Sequence, residues 1–129
     1  TYLILEHFEE TLYQRFLKCN KMFSNAQIQS YGIQILNIIE YIHNKQYLYI
    51  DIKPDNFMFK TEDDTSIKII DFGLARYTNQ DYLKEEIKQF TKDVTTPLYR
   101  APECFYKMKL YSSKIDVWAA GLIFYELLM

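Results

Sequence analysis

The chain has 129 residues and a formal net charge of −2, with 49% hydrophobic and 25% charged residues. That length allows one modest domain with a core of its own. The near-neutral balance gives no bulk electrostatic case for nucleic acid or an anionic membrane, and the apolar stretches are too short to span a bilayer.

In chain order, residues 2–8, YLILEHF, read as a short buried strand. Residues 11–20, TLYQRFLKCN, are compatible with a helix. A long amphipathic helix is predicted from Ser24 or Asn25 to about Asn44, because Ile28, Tyr31, Ile35, Ile38, Ile39 and Ile42 recur at steps of three or four behind a good N-cap residue. YLYI and FMF, on either side of a polar loop, read as short strands. EDDTS then makes a hairpin turn, and IKII, residues 67–70, another strand. Residues 74–100 are long, polar and irregular, a pattern usually kept for function. Residues 113–129, SKIDVWAAGLIFYELLM, form a helix so apolar that burial on most sides is expected; it ends without a cap, as a cut chain would. Cys19 and Cys104 are far apart and lack metal-ligand spacing. They read as packing thiols in a reducing, intracellular setting, cytoplasmic or nuclear.

The stretch that carries chemistry is residues 49–59, YIDIKPDNFMF. Moving a phosphoryl group from ATP to a hydroxyl requires a carboxylate to take the hydroxyl proton, a cation for the developing charge, and oxygen ligands for magnesium. Asp51, Lys53 and Asn56 supply one of each on a short segment that Pro54 stiffens. A second carboxylate, Asp71 in DFG, follows the apolar strand IKII directly, where it can also face a metal. YRAPE, residues 99–103, and DVWAAG, residues 116–121, come next. The three glycines, Gly32, Gly73 and Gly121, are isolated and cannot make a glycine-rich phosphate loop.

This set, in this order, resembles the eukaryotic protein kinases, whose signature runs through a catalytic-loop aspartate and asparagine to D-F-G and A-P-E. The resemblance covers residues 1–129 but not the whole family domain. It implies an α+β, partial protein-kinase-like fold: residues 1–10 as the last small-lobe strand and the hinge, and 11–129 as the mainly helical large lobe up to its central helix. The glycine-rich loop, the strand lysine and its helix glutamate have no counterpart here. YRAPE with YSSKIDVWAAGLIFYEL is most similar to the group of cyclin-dependent, MAP and male-germ-cell-associated-type kinases, which phosphorylate Ser or Thr, usually before proline. DIKPDNF is also similar to casein kinase 1, which lacks an ordinary A-P-E.

By that resemblance Asp51 is the catalytic base, Lys53 reaches the γ-phosphate, and Asn56 and Asp71 bind magnesium. Glu6 and Phe8 match the hinge that holds adenine, with Met58 beneath the ring. Thr91 matches the activating phosphothreonine and Arg76 one arginine of its phosphate pocket. Thr95 and Arg100 shape a proline-accepting pocket, and Thr96 positions substrate. Asp116 is implied as an acceptor for backbone N–H groups of the catalytic loop. The implied partners are ATP, a protein substrate, and a regulatory subunit or upstream kinase. His7 and His43 have no neighbour in sequence that suggests chemistry.

Tyr49-Ile50 departs from the family's His-Arg. A buried tyrosine ring can pack as the histidine does, but isoleucine has no charge with which to grip a loop phosphate. Two other readings therefore stand beside a serine/threonine kinase: a pseudokinase that acts as a binding module with little or no transfer, and a truncated product.

Overall fold

A computed structural model describes residues 2, 4–78, 97–105 and 112–129. In chain order these form β1 (Glu10–Thr11), α1 (Leu12–Lys18), α2 (Asn25–Asn44), β2 (Tyr47–Leu48), a 3-10 turn (Pro54–Asn56), β3 (Phe57–Phe59), β4 (Lys68–Ile69), β5 (Arg76–Tyr77), further 3-10 turns at Pro97–Tyr99 and Pro102–Cys104, and α3 (Lys114–Leu128). Two small antiparallel sheets result. One has the order β1-β3-β4, with Glu10 opposite Phe59 and Phe57 opposite Ile69; the other pairs β2 with β5, Leu48 opposite Arg76.

Both leading helices open with reciprocal capping. The Thr11 hydroxyl accepts from Gln14 N at 3.0 Å, and Gln14 Oε1 accepts from Thr11 N at 2.9 Å. Ser24 and Gln27 repeat the arrangement at α2. Each box satisfies two N–H groups that a helix start otherwise leaves to water. Helix α2 buries Tyr31, Ile35, Ile39 and Ile42, the predicted stripe, with Ile28 and Ile38 packed at its margin. Against that stripe lies α3, whose small Ala119 and Ala120 admit it closely while Ile123 and Leu127 fill the space beside them. Strand β3 alternates as a strand must, with Phe57 and Phe59 fully buried and Met58 half-buried. Each fully buried side chain of that size contributes roughly 1.5–3 kcal/mol. The rings of Phe16, Phe23, Tyr31 and Phe59 continue the core in series, with successive centroids 5.3, 5.3 and 5.4 Å apart.

Four expectations from the sequence need correction. Residues 4–9 make no strand, and Tyr2 and Ile4 are 98% and 93% exposed; no neighbouring strand among the described residues pairs with this segment until Glu9 N donates to Phe59 O. YLYI is a strand only at Tyr47–Leu48, because the N–H groups of Tyr49 and Ile50 turn to Asp116 instead of a ladder. IKII is a strand only at Lys68–Ile69, since Ile70 N donates to Asn56 O at 2.9 Å. Finally, α3 is not buried on most sides: Val117, Trp118, Gly121, Tyr125 and Leu128 form an exposed face. Among the described residues no helix is long and apolar enough to cross a membrane.

A buried arginine closes the other end of the molecule. Arg15 Nε donates to Glu10 Oε2 at 2.7 Å, its remaining nitrogens reach the carbonyls of Thr61, Glu62 and Asp64, and its guanidinium lies 3.4 Å from the Phe59 ring centre. Three carbonyls of the turn between β3 and β4 thus converge on one planar donor fork, a geometry lysine cannot copy.

Candidate active site

The segment from Tyr49 to Asn56 is pinned from three sides. Tyr49 is buried and donates its hydroxyl to the carbonyl of Ile70, while its ring meets Phe72 edge-on at 5.4 Å. Burial, reinforced by the carboxylates of Asp51 and Asp71, raises the Tyr49 phenol far above its usual range, so it stays a donor. From α3, Asp116 accepts Tyr49 N at 2.9 Å and Ile50 N at 2.8 Å. Ile50 itself has a φ of 76°, the left-handed region that a β-branched residue enters only under strain, of order 1–3 kcal/mol.

This backbone delivers Asp51, Lys53 and Asn56 to one place. Lys53 Nζ donates to Asp51 Oδ2 at 2.7 Å. Asn56 Nδ2 donates to the same oxygen at 3.0 Å and to the Asp51 carbonyl at 2.8 Å. Asp51 and Asn56 are both buried, and Lys53 keeps one side toward solvent. The short 3-10 turn that opens at Pro54 brings Asn56 back over Asp51; without it, five residues of extended chain would carry the amide away.

The bond from Ile70 N to Asn56 O joins this segment to the strand end that carries Asp71. Asp71 has a φ of 59°, is exposed, and accepts Gly73 N on Oδ1 at 3.1 Å. A Cβ at position 73 would lie 3.0 Å from that oxygen, so a larger residue there would push the Asp71 carboxylate aside by a few tenths of an ångström.

On the other side of Asp51 is a small cleft of about 30 Å³, lined by Ile50, Ile52, Tyr99, Arg100, Ala101, Cys104 and Ile115 as well as Asp51. Arg100 therefore stands beside the segment that carries Asp51, its guanidinium 5.4 Å from the Phe105 ring centre. Burial, with Glu103 adding to it, pushes the Cys104 thiol up to about 11, in keeping with an inert cysteine. Tyr99 donates to Glu126 Oε2 at 2.6 Å, which ties the cleft wall to α3. A larger, mainly apolar groove of about 680 Å³ lies between α2 and β4, with Phe72 on its wall, and holds none of this constellation.

The remaining candidates are more scattered. Glu6 is exposed and pairs with Lys60 Nζ at 3.0 Å, and Phe8 is half-buried. Met58 sits mid-strand in β3, opposite Thr11 and Lys68. Arg76 is in β5 and donates to the Ala75 carbonyl at 2.8 Å. Thr91, Thr95 and Thr96 lie outside the described residues. The sequence reading missed one residue here: His43 Nε2 lies 2.8 Å from Asp116 Oδ2. The two are 73 positions apart, and no local pattern signals the pairing.

A strained loop here holds one carboxylate between an ammonium and an amide and is joined to a second carboxylate at a strand end. The chain belongs to the protein kinase domain family, whose pattern it matches over residues 1–129. It is 36% identical over 127 residues to cyclin-dependent kinase F-4 of Oryza sativa subsp. japonica, covering 98% of this chain and 26% of that protein. To the serine/threonine-protein kinase MAK of Homo sapiens it is 38% identical over 128 residues, covering 99% of this chain and 19% of the relative. Mitogen-activated protein kinase 5 of Arabidopsis thaliana is 36% identical over 127 residues, with 98% of this chain and 31% of the relative covered. The chain thus spans a third or less of the length of these relatives, and its fold is an α+β portion of the kinase fold.

Proposed function

We propose that this chain carries the phosphoryl-transfer centre of an ATP-dependent serine/threonine protein kinase, acting on Ser or Thr hydroxyls that precede proline. The observation that supports this most is that Asp51 Oδ2 is fixed by both Lys53 and Asn56 on one short segment. In phosphoryl transfer the protein's contribution is positioning and charge stabilisation. The substrate hydroxyl oxygen bonds to the γ-phosphorus, the bond to the β–γ bridging oxygen breaks, ADP leaves, and the hydroxyl proton passes to Asp51. Lys53 holds a positive charge beside that carboxylate, where it counters the negative charge of the transferred group. Asn56 keeps the Asp51 carboxylate from rotating.

Asn56 and Asp71 would hold magnesium, which when bound would neutralise phosphate charge. The donor chemistry fits. With Nδ2 turned to Asp51, Oδ1 is the amide atom of Asn56 left for a cation, and Asp71 offers an exposed carboxylate. The hinge role falls to the backbone near Glu6 and Phe8, with Met58 under adenine. Residues 1–10 form the hinge side and 11–129 the large-lobe side. Arg100, Arg76, Thr91, Thr95 and Thr96 belong to the substrate and loop side, and a regulatory subunit or upstream kinase acts there.

The test is transfer of the γ-phosphoryl group to a Ser-Pro peptide by the full-length protein, wild type against Asp51→Asn. Loss of a positioned base is expected to lower kcat by about 10²-fold or more. Equal rates would overturn the assignment. One observation favours a binding module instead: Ile50 places an uncharged side chain on the wall of the cleft. Absence of magnesium-dependent transfer by the wild type would select that reading.

A further inference from the structure

Arg15 is buried, and its guanidinium spans two segments of the chain. Nε donates to Glu10 Oε2 at 2.7 Å, Nη1 to the carbonyl of Asp64, and Nη2 to the carbonyls of Thr61 and Glu62 at 3.0 and 2.8 Å. The first acceptor belongs to β1, and the other three to the turn after β3. The guanidinium carbon also lies 3.4 Å from the centre of the Phe59 ring, and Phe59 is the residue opposite Glu10 in the β1–β3 register. Lys18 takes the second oxygen of Glu10 at 2.9 Å. A buried charge is costly unless acceptors surround it, and here they do so from two sides.

This clamp stands where the chain has little other hold. Among the described residues, Glu9 N to Phe59 O, at 3.1 Å, is the first backbone bond of the chain. Upstream of it, Glu6 pairs with Lys60 between two exposed side chains, and such pairs contribute little. The course of residues 4–8 therefore follows from how Glu10 and Thr11 are held. Met58 lies opposite Thr11, on the same short strand as Phe59. We propose that Arg15 is a positioning residue for adenine: by clamping Glu10 to Phe59 and to the turn after β3, it fixes the spacing between the backbone of residues 6–8 and Met58. A lysine ammonium can meet Glu10 but cannot serve a planar set of carbonyls at the same time. None of these contacts involves Asp51, Lys53 or Asn56, so the effect falls on nucleotide affinity and not on the transfer step. The role toward adenine rests on the reading given under Proposed function; the clamp on Glu10 does not.

The experiment uses the full-length protein with Arg15→Lys, Glu10→Ala and the double variant. The probes are adenosine, which carries no phosphate and reports the adenine side alone, and ATP with magnesium in peptide phosphorylation. Binding is measured well below each variant's melting temperature, so that loss of folded protein does not enter Kd. Each single variant is expected to raise Kd for adenosine and KM for ATP by about fivefold or more, with kcat within about twofold of wild type, the split of a lost ground-state contribution. Because both residues act through one contact, the double variant is expected to bind within about twofold of the weaker single variant. Amide exchange at Glu9 is expected to rise, with exchange at Ile35 and Ile39 inside α2 unchanged. A lower melting temperature with unchanged affinity for adenosine overturns the proposal, since it marks a merely structural arginine. A fall in kcat with KM unchanged, or full additivity in the double variant, overturns it as well. A wild type that binds neither adenosine nor ATP refutes the nucleotide reading and the role toward adenine with it, while faster exchange at Glu9 in Arg15→Lys still shows the clamp.

Discussion

Asn56 Nδ2 grips Asp51 twice, at the backbone carbonyl and at Oδ2, 2.8 and 3.0 Å away. One amide therefore fixes both where Asp51 sits and which way its carboxylate faces. Lys53 completes the arrangement from the solvent side at 2.7 Å. The sequence already contains this geometry: an aspartate two residues before a lysine and five before an asparagine, with a proline between to start the turn.

That double grip makes Asn56 a stability residue as well as a site residue. Asn56→Ala removes two buried hydrogen bonds and leaves the Asp51 carbonyl and Oδ2 short of a donor. A loss of about 1–3 kcal/mol is expected, measured as a fall in the denaturant midpoint. Asn56→Asp keeps the size but puts two carboxylates together, and should destabilise more at pH 7 than at pH 4. If Asn56→Ala leaves the midpoint unchanged, the contact does not hold the loop.

What could be read from the sequence was local. The spacing of Asp51, Lys53 and Asn56 is set by one turn, and the α2 stripe by helical periodicity behind a cap. The strands were harder, because most are two residues long and their ends are decided by distant partners. Tyr49 and Ile50 leave the ladder for Asp116, and Ile70 leaves it for Asn56. The buried strand expected at residues 2–8 failed because apolar residues alone do not make a strand without a neighbour. His43 and Arg15 were invisible for a related reason. A polar residue on a helix reads as solvent-facing until the element that buries it is known.

Arg15 and Glu10 supply a pH-dependent prediction. Burial alone would raise the Glu10 carboxyl, but Arg15 and Lys18 outweigh it and hold the group below its ordinary value of 4.5. A depressed carboxylate stabilises the fold above its unfolded value, and that stability is lost as pH falls through the lower, folded value. Unfolding free energy should therefore decline on acidification below about pH 4.5, and Glu10→Gln should flatten that part of the profile. Arg15→Leu should do worse than flatten it. It leaves Glu10 with Lys18 alone, 2.9 Å away, and uncaps three carbonyls, a loss of about 3–5 kcal/mol near neutral pH. A profile for Glu10→Gln that falls as steeply as wild type would remove Glu10 from the account.

The bare face of α3 gives the last expectation. Its inner side is satisfied: Ile115, Ala119, Ala120, Ile123 and Leu127 are buried. Its outer side still carries Trp118 at 47% and Tyr125 at 63% exposure, with Val117 and Leu128 beside them. Trp118, Gly121, Tyr125 and Leu128 step by three and four along one helix, so with Val117 they form a continuous strip rather than scattered contacts. A strip of that kind drives association in water. The 129-residue chain should therefore self-associate as its concentration rises, which light scattering and sedimentation would show. Replacing Trp118 and Tyr125 with Glu removes the apolar surface without touching the buried side. These substitutions should shift the chain toward monomer while the melting temperature moves by no more than a few degrees, since exposed positions rarely contribute more than about 0.5 kcal/mol. Equal self-association in wild type and the double variant would mean that another surface is responsible.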